Sequence, residues 1–311
     1  MTRSTNKRVH ANLRCDRFRR VAIAILMSFA AASMAEAASL GEILSKTHVH
    51  GIAIAGGDRP RVLLAMHHGL FEIDSPGEGR RVSADTNDYM GFTPHPTESG
   101  VLLASGHPPG GGNLGVVVSR DGGQTWAQLS PGVRGPVDFH QMDISRANPE
   151  VVHGAHGALQ VSRDGGRSWK VVARLPEGLI DLAASAVDED RLFAATRAGL
   201  LYSVDGGRTW RPAHLRKTPA TMVQTGHEGE IYAFVGGAGL LRAEEPSLGW
   251  TVVSDTFGDR YVLHLAVDPG DSRHFYVVTT AGEVLESRDG GASWAASGSG
   301  ETGSARAPSR G

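Results

Sequence analysis

Short apolar runs with an alternating apolar/polar pattern recur along this chain, separated by turns rich in Gly and Asp. In one stretch "YVLHLAVD" (261–268), "RHFYVVTT" (273–280) and "GEVLES" (282–287) follow one another, which predicts three consecutive strands. The turn after the third is "SRDGGASW" (287–294), and the same words stand at 119–126 ("SRDGGQTW"), 162–169 ("SRDGGRSW") and 203–210 ("SVDGGRTW"). The spacings are 43, 41 and 84 residues, so the unit is about 42 residues with one copy degenerate, its remnant "EEPSLGW" ending at Trp250. All five tryptophans close a unit. One further unit precedes these, from Thr47 to about Ser83, with the turn "DSPGEG" where the motif has been lost. A β-rich period of this length predicts one four-stranded blade per unit. Six units predict an all-β, six-bladed β-propeller, with seven blades as the alternative. It would occupy residues 38–296 as a single domain.

The octapeptide has a mechanical reading. Asp-Gly-Gly supplies an acceptor for free backbone N–H groups and residues tolerant of positive φ, and the Trp buries a large ring between blades. Asp121, Asp164, Asp205 and Asp289, with Trp126, Trp169, Trp210 and Trp294, are therefore expected to be structural. The pattern S-x-D-x-G-x-[ST]-W resembles the Asp-box, or BNR repeat, of sialidases, sortilin-type receptors and the photosystem II assembly factor. That resemblance implies a box at the turn between third and fourth strands, on the face opposite the ligand. "THVHGIAI", "MHHGLFEID", "DYMGF", "SGHP" and "DFHQM" further resemble an exported bacterial Asp-box group labelled glycosylhydrolase-like, over roughly Thr47 to Trp294.

The first 37 residues read differently. Arg14, Arg17, Arg19 and Arg20 precede the apolar run "VAIAILMSFAAASMA", which ends at Ala35-Glu36-Ala37. This is the order of a secretory signal peptide, too short to be read as a membrane span. Cys15 falls in the removed part, so the mature chain would be a cysteine-free periplasmic or secreted protein. Without residues 1–37 the chain holds 24 Lys/Arg and 31 Asp/Glu, a net charge of −7 with no basic stripe. That balance argues against nucleic acid and anionic membrane surfaces as partners. A protein or carbohydrate ligand is the expected partner, and the chain is expected to be a monomer. The tail from 297 to 311, "SGSGETGSARAPSRG", is disordered by composition.

Registering the units on their first strands exposes candidate chemistry. One column holds His48, Asp88, Asp138, Gly178, Pro219 and Tyr261; two residues on stand His50, Met90, His140, Ile180, Thr221 and Leu263, with Met222 as the alternative in the fifth unit. The ends of the second strands give His68, His107 and His156 in the first three units and Ala198, Ala238 and Ala281 in the last three. Strand alternation lets only one of His67 and His68 face inward, and His68 is taken. Propeller strands alternate in direction, so these columns should meet at one mouth of the channel. Imidazole, thioether and carboxylate together are metal-ligand chemistry. His50 and His140 with Met90 suit copper; His48, His50 and Asp138 suit zinc. Such a site would take up about one Cu or Zn ion, less readily below about pH 6, as protons compete for imidazole.

Enzyme readings have less behind them. Sialidases need an Arg-Ile-Pro stretch and an arginine triad; the former is missing, and the central face offers only Arg197 and Arg260. A generic glycoside hydrolase would use Asp88 and Asp138 as its carboxylate pair. No G-x-S-x-G elbow or phosphate loop occurs, and "HPPGGGNLG" (107–115) reads as a flexible loop beside the histidines, able to act as a lid.

Overall fold

The computed structural model describes residues 38–55, 60–75 and 77–297. The expected signal peptide and nearly all of the expected tail lie outside the described residues. The strands form six antiparallel sheets in a ring, five of them four-stranded in simple chain order. The innermost strands are Val49–Ala55, Asp88–Pro94, Gln141–Ile144, Leu179–Ala184, Ala220–Thr225 and Val262–Asp268. Each packs beside the next, and the last beside the first, which closes a six-bladed propeller. No helix among the described residues is long and apolar enough to cross a membrane.

The sequence leaves open whether "GEILSK" (41–46) gives a strand to the last blade or that blade is complete without it, and the second holds. "GEILSK" is no strand: Leu40–Lys46 is a helix, its first turn capped by Ser39 Oγ, which accepts from the Glu42 N–H at 3.1 Å. Leu40 and Ile43 on its inner face join a cluster with Ile52, Leu64 and Met66 of the first blade and Ala266, Tyr276 and Val278 of the sixth. The preceding pair Ala38–Ser39 adds a fifth strand to the first blade, opposite Glu78 and Gly79. The sixth blade completes itself with Ala295–Ala296. Among the described residues no strand is exchanged across the seam, and burial of apolar side chains holds it instead.

The octapeptide turns join third strands to fourth strands, and the geometry repeats. In the third blade Asp164 Oδ1 accepts from the Ser162 hydroxyl (2.8 Å) and the Ser168 N–H (2.8 Å), while Oδ2 accepts from the Ser168 hydroxyl (2.6 Å). Those hydrogen bonds, the Ser168 hydroxyl first, hold its carboxyl below the usual carboxylate range. Asp121, Asp205 and Asp289 make the same set. The second glycine has a steric reason. At Gly207, with φ +81°, an added Cβ would lie 2.1 Å from Leu159 of the neighbouring blade. Trp169 is buried against Phe139, ring centroids 4.8 Å apart, and its Nε1–H donates to Gly166 O at 2.9 Å. Trp126, Trp210 and Trp294 lie likewise in clusters shared by two blades. Trp250, which has no octapeptide before it, packs with the fourth and fifth blades and donates to Ala213 O at 2.7 Å.

Candidate metal centre

Antiparallel order puts the start of each inner strand and the end of its second strand at one mouth of the channel, away from the octapeptide turns. The inner strands carry a β-bulge there. In the first, fourth, fifth and sixth blades the pairing skips one residue: His50, Ile180, Thr221 and Leu263. The column read from sequence is thus the column of extra residues, whose side chains a bulge re-aims. The registration fails in the second and third blades. In the second the irregularity comes after Met90, which stays in regular pairing with Ser105, 9% exposed. In the third the strand begins only at Gln141, so Asp138 and His140 lie in the connection before it.

Two groups of side chains come together here. In the first, His67 Nδ1–H donates to Asp88 Oδ2 at 2.7 Å, and its Nε2 lies 3.2 Å from His50 Nε2. Asp88 Oδ1 is 3.5 Å from His50 Nε2, buried, and has no hydrogen-bond partner. His50, His67 and Asp88 each offer one donor atom to a common space, so an ion there would take the place of the proton between His67 and Asp88. A nitrogen–nitrogen separation of 3.2 Å is close to the edge of about 3.3 Å between two ligands of a tetrahedral zinc ion. Burial pushes His50 down to about 4, so it is a neutral donor across the physiological range.

In the second group His107 Nε2 and His140 Nε2 both face Asp138 Oδ2, at 2.9 and 2.8 Å. Asp138 Oδ1 is buried without a partner. His107 Nδ1–H donates to Gly112 O at 2.9 Å; that bond, reinforced by the charges of Asp138 and Asp88, raises His107 above the ordinary imidazole range. Asp88 and His107 stand directly opposite each other in the second blade. Gly106 makes this possible: its φ is +120°, and a Cβ there would fall 2.0 Å from the Asp88 carbonyl oxygen. The 107–115 loop, expected to be flexible, is tied down. Leu114 N–H donates to Gly106 O (2.8 Å), Gly115 N–H to Val137 O (3.0 Å), and the Asn113 amide to Pro136 O (3.0 Å).

The remaining expected ligands fall outside both groups. His68 is exposed in the turn after the strand ending at Met66, and His67 takes the inward place assigned to it. Alternation was the wrong rule, because both residues lie past the strand end. His48 is exposed beside His67, ring centroids 6.0 Å apart. His156 Nδ1–H donates to the Asp138 main-chain oxygen at 2.9 Å and so positions that residue.

The channel below is lined by residues the columns missed. Asp143, Asp181 and His264 face it, each partly buried; loss of solvation raises Asp143, lifts Asp181 to about 7 and lowers His264 to about 4. "MDI" (142–144) and "IDL" (180–182), each an Asp between two apolar residues of an inner strand, carried the signal. Above, a cleft of about 870 Å³ opens beside the first group, lined by Lys46, His48, His67, Asp88, Pro108 and Thr280 among others.

No protein-family model matches the chain, and no curated protein does. Among solved structures the fold is similar to the GH74 xyloglucanase of Xanthomonas campestris, with a TM-score of 0.55 and 19% identity over 80% of this chain and 38% of that one. A GH74 enzyme of Niastella koreensis matches with a TM-score of 0.57 and 16% identity over 80% of this chain and 45% of its own. YCF48 bound to a D1 peptide matches with a TM-score of 0.50 and 20% identity over 84% of both chains. The likeness is one of fold. The chain spans less than half the length of either GH74 enzyme.

Proposed function

We propose that this chain is an exported Asp-box propeller that binds a partner at its channel mouth through a transition-metal ion held by His50, His67 and Asp88. The observation that carries this reading is the 3.2 Å approach of His50 Nε2 to His67 Nε2 beside a buried, unpartnered Asp88 oxygen. Three protein donors leave a coordination position for a ligand, and the cleft above would admit it. Zinc suits the two imidazoles and a carboxylate; copper(II) is the other candidate, since Met90 is not needed to complete the set. A peptide segment fits the cleft as partner, in line with the peptide held by YCF48. Titration calorimetry of Zn²⁺ or Cu²⁺ into full-length metal-free protein tests the site. Loss of one binding event in His50→Ala and in His67→Ala supports it, and uptake equal to wild type in both removes it.

The alternative is a carbohydrate hydrolase using Asp88 and Asp138. The GH74 neighbours favour it by fold alone. Against it, each carboxylate already has one oxygen engaged by imidazole. Release of an aryl-glycoside leaving group that depends on both aspartates would reverse the preference.

A further inference from the structure

The second group is built like the first, although it lies one seam further round the ring. We infer that His107, Asp138 and His140 hold a second metal ion, so that the channel mouth carries two. This rests on the metal reading just given and extends it from one ion to two.

Three features point to an ion there. Asp138 is the most enclosed carboxylate of the mouth, its side chain 7% exposed, and its Oδ1 is buried without a hydrogen-bond partner. A carboxylate oxygen left that way forfeits solvation with nothing in return, and a cation supplies what is missing. His107 has its Nδ1–H committed to the Gly112 carbonyl, which can only accept, so the ring presents Nε2 to the group. A backbone carbonyl on the far nitrogen is the usual support of a ligating histidine. Finally, the two imidazoles converge on one oxygen, Asp138 Oδ2, at 2.9 and 2.8 Å. All three donor atoms therefore occupy a space one ion would fill. The approach is a few tenths of an ångström tighter than the ~3.3 Å ligand edge of a tetrahedral zinc site, so the group must open slightly to load. His140 can give way: its side chain is 61% exposed and sits in a bend, not in a strand. His107 and Asp138 are held by the loop and the main-chain contact from His156.

Zn²⁺ alone is the probe, titrated into full-length protein stripped of metal, with bound metal counted by elemental analysis after desalting. Wild type is expected to retain two equivalents. His140→Ala and His107→Ala should each retain one, as should His50→Ala, and the double variant His50→Ala/His140→Ala none. Thermal scans by circular dichroism identify any variant that fails to fold, and the exposed His140 makes its variant the safest. One equivalent in wild type, unchanged by His140→Ala and His107→Ala, overturns the second site and leaves the first standing. One equivalent lost to His50→Ala and His140→Ala alike would mean a single shared ion and also overturns it. Two equivalents retained in His50→Ala but one in His140→Ala would sink the first site and keep this one.

Discussion

His264, in the inner strand of the last blade, donates from Nε2 to the carbonyl oxygen of Val49, in the inner strand of the first, at 3.2 Å. The ring is stitched this way at every seam. His67 reaches Asp88, Thr93 reaches Asp143, Asp143 accepts from the Ala184 N–H, Asp181 from the Val223 N–H, and Thr221 donates to Val262 O. Because the chain runs directly from each blade to the next except from the last to the first, the His264 link carries more of the closure than its counterparts elsewhere. His264→Ala should cost about 1–3 kcal/mol, the range for leaving a buried acceptor unpaired. Urea denaturation should show a lower midpoint at unchanged slope. A midpoint equal to wild type would mean that apolar packing alone closes the ring.

The octapeptide turns and the two His/Asp groups lie at opposite ends of the blades, so their failures should separate. Trp169→Ala should lose about 3–5 kcal/mol of stability, as large aromatic deletions in a core do. Asp164→Ala should lose about 1–2 kcal/mol, comparable to removing a helix cap, since its carboxylate serves the same purpose in the turn. Zinc uptake at low temperature should be unchanged in Asp164→Ala; Trp169 packs on Phe139, the neighbour of Asp138 and His140, so its variant tests stability alone. Loss of uptake in an Asp164→Ala protein that still melts cooperatively would contradict the mechanical reading of the octapeptide.

His153 is buried in the third blade, with Nε2 3.3 Å from Glu189 O and Nδ1 unpartnered; burial lowers it from 6.5 to about 4. The folded state therefore binds fewer protons than the unfolded chain between those two values. Stability from this group is intact above pH 6.5 and is lost as pH falls toward 4, with a slope approaching ~1.4 kcal/mol per pH unit. His153→Leu should flatten the decline over that window relative to wild type. Parallel pH–stability curves for the two proteins would show that His153 is not what titrates.

His67 and His68 are adjacent in sequence, but His67 faces Asp88 and His50 while His68 is exposed. Zinc affinity should fall at least tenfold in His67→Ala and stay within about twofold in His68→Ala, since removing a ligand or its orienting partner typically costs 10–100-fold. Calorimetry on the two single variants decides it, and equal losses would mean that His68 swings inward on binding.

The repeat made the architecture legible. A period of about 42 residues, closed in five of six units by a tryptophan, dictates blades, because a four-stranded sheet with a large ring at its edge can bury that ring only against another copy. Blade number and the place of the turns follow from that. The histidine-rich mouth was legible too, since strand direction alone brings His50, His107 and Asp88 to one end of their blades. Which of these residues meet was not legible. Counting by twos holds only inside a regular strand, and here the bulge at His50, the late start of the third inner strand at Gln141 and the turn after Met66 break the count. The choice between His67 and His68, and the grouping of Asp138 with His140, were made by those irregularities. The helix at Leu40–Lys46 was decided the same way, by an apolar gap between first and last blades that exists only once the ring has formed. Local pattern determined the elements and their order; contacts between residues distant in the chain, absent until closure, chose the partners.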